Sequence, residues 1–303
     1  MAGSRVRVIC GPTAAGKSAI AASLALENGA TIISADSRQI YRGFDIGTAK
    51  PDWNERKSID HVGIDVAEPV ERFSASRWAS MAIEAINNLD GARGVPLVVG
   101  GTGFYIRALF DPLFSAPDLD AARRTSVESV LNPMPLDELR RWCSELDPPR
   151  AHLGRYQLVR AVELALLTGM RISDMHAADD SAPVFAPSYL LVDPGPALAD
   201  HIARRVDSML DAGWLDEVRS LESHVPDNAP AWKASGYRVM RQVASGQLDL
   251  SSARERIIIE TRQYAKRQRT WFRHQLGDAP ITSVNPDDPD WQAVAQRWWK
   301  ESS

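Results

Sequence analysis

The stretch 11-GPTAAGKS-18 fits G-x-x-x-x-G-K-[ST], and its surroundings decide the fold. Ahead of it, 5-RVRVIC-10 alternates and is β-branched, as a strand is. Behind it, residues 19–28 are rich in Ala and Leu and read as a helix that Gly29 closes. A strand that turns through glycines into a helix gathers backbone N–H groups, and the positive end of the helix dipole, around one anion. Lys17 adds a full charge, and the Ser18 hydroxyl is a ligand for Mg²⁺. Gly11, Pro12, Thr13, Ala14, Ala15, Gly16, Lys17 and Ser18 are therefore candidate binding residues for a di- or triphosphate. The loop alone does not say which, so ATP and other nucleotides stand among its candidate ligands.

Outward from this loop, residues 31–34, 61–66 and 95–99 read as further strands. Residues 74–89, with Ser74 as N-cap, and 104–110 read as helices. Apolar strands alternating with helices predict an α/β fold, a parallel sheet of the phosphate-loop NTPase kind with helices on both faces. Right-handed crossovers then bring the loops at 11–18, 34–39 and 100–103 into one crevice. After Pro112 the texture is helical, notably at 136–146 and at 156–168, until a strand returns at 189–192. Residues 118–186 thus read as a helical insertion domain, with 1–117 and 187–303 forming the core. From Pro196 onward the pattern is helical, at 196–211, 213–224 and 252–275.

Composition narrows the classes. The 303 residues are 44% hydrophobic and 24% charged, enough for a sizeable core. No apolar run approaches a membrane span of about 20 residues, and the N-terminus has no signal-peptide pattern. Cys10 and Cys143 alone make neither a disulfide scaffold nor a four-cysteine zinc site, which predicts a cytoplasmic protein. A net charge of −4 argues against indiscriminate nucleic-acid binding, yet residues 254–273 hold seven Arg or Lys against two Glu.

Three further stretches carry chemistry. An ATPase-type Mg²⁺ site normally adds an acidic residue at the end of a second apolar strand. Here the strand at 95–99 runs into Gly100-Gly101-Thr102-Gly103, which offers N–H groups and one hydroxyl. In 34-SADSRQIYRGFDIGTAKP-51, Asp36 lies on the same rim as Lys17, a place for a general base or a metal ligand. In 261-TRQYAKRQRTWFRH-274, Arg262, Lys266, Arg269 and Arg273 recur every three or four residues, interleaved with Tyr264, Trp271 and Phe272. That pattern fits a nucleic-acid backbone or a solvated amphipathic helix.

Together with 96-PLVVGGTGFYIRAL-109, 160-RAVELALLTG-169 and 236-GYR-238, these stretches give the chain a resemblance to the bacterial tRNA dimethylallyltransferase (tRNA isopentenyltransferase) family. The DSRQIYRG…DIGTAKP block is much more specific than the phosphate loop. The resemblance implies transfer of a dimethylallyl group from dimethylallyl diphosphate to N6 of the adenine just 3′ of the anticodon; a monomer with no membrane partner is expected. It implies that the insertion contacts the tRNA anticodon stem-loop. It makes Asp36 the base and puts Thr102 at the reacting centre. Lys17 and Ser18 with Mg²⁺ then neutralise the diphosphate, helped by Arg219. It assigns RNA contacts to Asp36, Ser37, Arg38, Gln39, Tyr156, Gln157, Arg160, Gly236, Tyr237, Arg238, Arg262 and Lys266. A small-molecule or nucleotide kinase on the same scaffold, and a non-catalytic RNA-binding module with a vestigial nucleotide site, are the alternatives.

Overall fold

In the computed structural model the described residues are 4–89, 94–111, 120–178 and 185–302. The chain divides into two units, Met1–Asp111 with Pro183–Ser303, and Pro112–Ala182. In the first unit the N-terminal half runs β1 (Ser4–Cys10), α1 (Lys17–Asn28), β2 (Ala30–Ser34), α2 (Trp53–Ser58), β3 (His61–Val62), α3 (Ala75–Asn88), β4 (Val95–Gly100) and α4 (Gly103–Phe110). The second unit holds α5 (Ala121–Leu131), α6 (Leu136–Leu146), α7 (Arg155–Thr168) and α8 (Ile172–Ala178). The first unit resumes with β5 (Phe185–Val192), α9 (Leu198–Asp211), α10 (Trp214–Glu222), α11 (Tyr237–Ala244), α12 (Leu250–Gln275), β6 (Ile281–Val284) and α13 (Trp291–Glu301).

The six strands form one sheet in the order β3-β2-β4-β1-β5-β6, and every pairing is parallel. Burial on both faces explains the apolar runs: all five residues of β2 are buried, as is β4 from Leu97 onward. Pro187, which has no N–H to give, lies in β5 ahead of Tyr189, where β6 joins, so it interrupts no ladder on that side. The expected strand at 61–66 shortens to two residues because Gly63 and Asp65 take left-handed backbone (φ 86° and 56°). Asp65 is held there by Lys50 Nζ at 2.5 Å and the Arg56 guanidinium at 2.6 Å. The expectation of helix only beyond Pro196 is also corrected: four residues of β6 close the sheet edge, too short and too polar to stand out locally.

Helices fix the loops at the carboxyl end of the sheet. Ser74 caps α3 by accepting from Arg77 N. Trp78 of α3 is wholly buried, donates to the Ser34 carbonyl at 2.8 Å and stacks on Tyr105 of α4, ring centres 5.2 Å apart. The ends of β2 and β4 are stitched together: Ala35 N donates to Val99 O at 2.7 Å, and Thr102 N donates to Ala35 O at 3.2 Å. A Cβ on Gly100 would overlap the Ala35 carbonyl, so only glycine permits this approach. No helix among the described residues is long and apolar enough to cross a membrane.

The second unit has its own core of Leu131, Leu139, Cys143, Leu158, Ala161, Val162, Leu164 and Ile172. Its buried Glu163 carboxylate sits between Arg124 (2.5 Å) and Arg160 (2.6 Å). The expected boundary at 117/118 lies outside the described residues. The one at 186/187 moves upstream, because Phe185 and Ala186 already pair with β1.

The stitch between β2 and β4 has a measurable consequence. Gly29→Ala places a methyl in open space at φ 63° and is expected to lower stability by about 1 kcal/mol. Gly100→Ala forces two backbones apart and is expected to cost about 3 kcal/mol or more. Urea denaturation of the two variants checks the ordering.

Candidate active site

The phosphate loop lies where the sequence puts it. Gly16 caps α1 in left-handed backbone (φ 89°), and Lys17 and Ser18 open the helix. Lys17 folds back to donate from Nζ to Pro12 O at 2.7 Å. A cleft of about 440 Å³ is lined by residues 14–19, by His201, Arg204, Arg205 and Ser208 of α9, and by Asp287. First-turn N–H groups of α1, Lys17 and the α9 arginines make this cleft a cationic cradle.

Burial, and after it the nearby Arg205 guanidinium, bring the Lys17 ammonium down to about 8 against the opposing pull of Asp36 and Cys10. Burial likewise lowers Arg205, and the charge of Asp36 counters it. Lys17, Arg205 and Asp36 therefore share one electrostatic environment. The arginine expected to complete this group, Arg219, is not among the residues lining the cleft. It is more than half exposed on α10, paired with Asp216 at 3.1 Å. Arg205 does line the cleft. Its neighbour Arg204 belongs to the same amphipathic run, so local pattern did not distinguish it.

Asp36, Ser37 and Thr102 are brought together by the stitch between β2 and β4. Asp36 Oδ1 accepts from Arg38 N at 2.8 Å, and Oδ2 has no hydrogen bond among the described residues. Thr102 Oγ1 accepts from Ser37 N at 3.1 Å. Tyr264 of α12 lies beside the Thr102 side chain; burial and then the Asp36 charge push its phenol up to about 12. Gln39 faces inward: its Nε2 donates to Thr48 O and Ala49 O (3.3 and 3.0 Å), and its Oε1 accepts from Ser34 Oγ (3.0 Å).

The rest of the DIGTAKP block is a scaffold. The Glu217 carboxylate accepts from Asp45 N (2.9 Å), Ile46 N (2.6 Å) and Gly47 N (3.4 Å), and from the Tyr237 hydroxyl (2.6 Å). Tyr237 is wholly buried and Gly236 packs against Trp214, so the expectation that these two touch RNA is corrected: Tyr237 holds the Glu217 carboxylate that binds the turn at 45–47. Arg238 beside them is exposed, 3.4 Å from Glu260.

Side chains of α12 meet the sheet rim. Thr13 N donates to Gln268 Oε1 at 2.8 Å, and Gln268 Nε2 donates to Gly101 O at 2.8 Å. Trp271 packs against Gly103, and Tyr264 reaches Thr102. Arg269, expected on a nucleic-acid face, instead grips Asp193 (2.9 Å) and Gly195 O (2.5 Å) after β5. Arg262 and Lys266 are exposed on the same helix. In the second unit Tyr156 is 82% exposed, Gln157 Oε1 accepts from Gly154 N at 3.2 Å, and Arg160 holds Glu163.

Fold and site define an α/β protein with a parallel sheet and a cationic cleft at its first strand–helix junction, where Lys17 feels the charge of Asp36. The sequence model of the family described as IPP transferase matches residues 39–275, and the chain belongs to that family. It is 37% identical over 93% of its length to the tRNA dimethylallyltransferase of Cyanothece sp., of which it covers 92%. The protein of the same name from Deinococcus radiodurans is 36% identical, with 98% of each chain covered. Among solved structures, the tRNA isopentenylpyrophosphate transferase of Bacillus halodurans is similar with TM-score 0.68 and 30% identity, covering 98% of this chain and 95% of that one. A eukaryotic dimethylallyltransferase acting on tRNA gives TM-score 0.81 at 25% identity, covering 97% and 77%.

The Lys17 ammonium predicts two opposite pH effects. Only the protonated form attracts phosphate, so the advantage of the native protein over Lys17→Met in binding inorganic pyrophosphate falls about tenfold per unit above about pH 8. Unfolded, the lysine keeps its proton to 10.5, so folding stability rises with pH between about 8 and 10.5. Calorimetric titration and denaturation across pH 7–11 measure both; flat differences contradict the assignment.

Proposed function

We propose that this chain transfers a dimethylallyl group from dimethylallyl diphosphate to N6 of the adenine 3′ of the anticodon in tRNA, giving N6-isopentenyladenosine and diphosphate. The single observation that carries this reading is the placement of Asp36, with one free carboxylate oxygen, beside Thr102 and within the electrostatic reach of Lys17 and Arg205. A phosphoryl-transfer enzyme has no need of that carboxylate together with an exposed basic helix face, whereas alkylation of an RNA base uses both.

The chemistry follows from the charges. An exocyclic adenine amine is a weak nucleophile because its lone pair is delocalised into the ring. As nitrogen bonds to the allylic carbon, the carbon–oxygen bond breaks and its electron pair leaves with diphosphate. The amine proton passes to Asp36 Oδ2. Lys17, Arg205 and the N–H groups of the loop stabilise the charge gathering on the leaving group, each good partner contributing about 3 kcal/mol. Thr102 and Tyr264 orient the amine. The adenine must leave its stack, which an anticodon loop permits for a few kcal/mol.

Mg²⁺ fits this arrangement in a limited way. Among the described residues no group of three His, Cys, Asp or Glu could hold a metal unaided. The exposed Ser18 hydroxyl suits an ion that arrives on the diphosphate and keeps most of its waters. When bound, such an ion neutralises diphosphate charge and makes it a better leaving group.

RNA binding falls to residues accessible around the crevice and beyond it. The half-buried Arg38 and the exposed Arg238, Arg262 and Lys266 offer charge to the backbone, and Tyr156 of the second unit offers a ring for stacking. The protein then works in the cytoplasm, where its tRNA is.

Incubation with dimethylallyl diphosphate and an anticodon stem-loop should yield a five-carbon mass increment on the adenosine. Asp36→Ala should bind the stem-loop with unchanged affinity and lose at least about a hundredfold in kcat. ATP hydrolysis without any adduct would favour a kinase. An Asp36→Ala variant as fast as the native protein would contradict the assigned base.

A further inference from the structure

We infer that Gln268 is a positioning residue that sets the spacing between the diphosphate cradle and the reacting centre; this rests on the function proposed above. Its side chain is buried, and both ends are engaged by backbone from different loops: Oε1 accepts from Thr13 N at 2.8 Å, and Nε2 donates to Gly101 O at 2.8 Å. The partners dictate the amide's orientation, because an N–H can only donate and a carbonyl can only accept. Thr13 belongs to the loop after β1 that would hold the leaving diphosphate. Gly101 directly precedes Thr102 in the loop after β4. One planar amide thus spans the two halves of the reaction.

Few side chains can do this. The bridge needs one donor and one acceptor at fixed separation, carried by a stem that reaches from the middle of α12. A carboxylate accepts at both ends, an ammonium donates at both, and an apolar side chain does neither. The space is closed around it: a Cβ on Gly101 would stand 2.6 Å from Gln268 Nε2 and 3.6 Å from Lys17 Nζ. The next residue, Arg269, fixes the helix to Asp193 and Gly195 after β5, so the amide cannot shift along the rim to accommodate a wrong partner. Spacing errors of about 1 Å at a reacting centre lower rates about a hundredfold.

Gln268→Glu separates positioning from folding. At neutral pH the carboxylate still accepts from Thr13 N but faces the Gly101 carbonyl without a proton. Protonated, it regains the donor and restores the bridge. Burial and the Gly101 carbonyl favour the proton, the Lys17 ammonium opposes it, and the Arg269 charge is already matched by Asp193. The native enzyme and this variant are assayed for transfer to the stem-loop from about pH 8 to about pH 5.5, alongside pyrophosphate affinity.

The expected result is a kcat about a hundredfold below native at pH 8, with pyrophosphate affinity and KM for RNA within about threefold, and a variant-to-native ratio that climbs as pH falls. Gln268→Met, which fills the same volume with neither donor nor acceptor, should show the kcat loss without the climb. It carries the kcat-against-affinity comparison should the glutamate variant fail to fold. Native-like kcat in a folded variant overturns the inference, as does an equal, pH-independent fall in kcat and pyrophosphate affinity. A native protein that transfers no five-carbon group overturns the proposed function together with it, whereas transfer by native and variant alike overturns only the positioning role.

Discussion

Ala35 is hydrogen-bonded on both sides to the chain that leaves β4, through Val99 O and Thr102 N, and the rest of the site depends on that stitch. It is possible only because Gly100 has no side chain to meet the Ala35 carbonyl. The residue after Ala35 is the carboxylate proposed as base, and the residue two after Gly100 is Thr102. Two strands that are neighbours in the sheet but distant in sequence thereby bring a carboxylate and a hydroxyl to one rim. The phosphate loop stands on the same rim because β1 lies on the other side of β4.

α12 keeps this rim in register. Its buried stripe, Ala253, Ile257, Ile258, Thr261, Ala265, Gln268 and Phe272, follows helical spacing and seats the helix on the core. From that seat, Tyr264, Gln268, Arg269 and Trp271 reach the loops after β4, β1 and β5. A helix with a basic outer face and a rim-binding inner face serves two purposes at once. Its exposed Arg262 and Lys266 suit a polyanion, while its inner polar groups brace the crevice beneath.

Much of this was legible in the sequence. The glycine-punctuated loop, the apolar strands and the Ser74 cap announce themselves through local spacing, and so does the helical texture of the second unit. Asp36 was legible because a carboxylate directly after an apolar strand in a parallel fold must lie at the carboxyl rim. What was not legible depends on long-range partners. Arg205 and Arg204 are adjacent charges on one amphipathic helix; both line the cleft, and only the folded chain shows that Arg205 shares its field with Lys17 and Asp36. Gln268 sits in a basic run and reads as part of a solvated face until Thr13 and Gly101 are seen at its two ends. The resemblance made Tyr237 an RNA contact together with Arg238, yet its ring is buried and the half-buried Glu217 carboxylate claims its hydroxyl. The strand β6 was missed because four residues of mixed polarity carry no pattern stronger than that of the helices around them.

The most direct measurement is a crystal structure with an anticodon stem-loop and a dimethylallyl diphosphate analogue that cannot react. The diphosphate is expected on residues 11–18 against Lys17 and Arg205, with an extruded adenine whose N6 lies within hydrogen-bonding distance of Asp36 and opposite the allylic carbon. A diphosphate seated elsewhere, or an adenine whose amine faces away from Asp36, would contradict it.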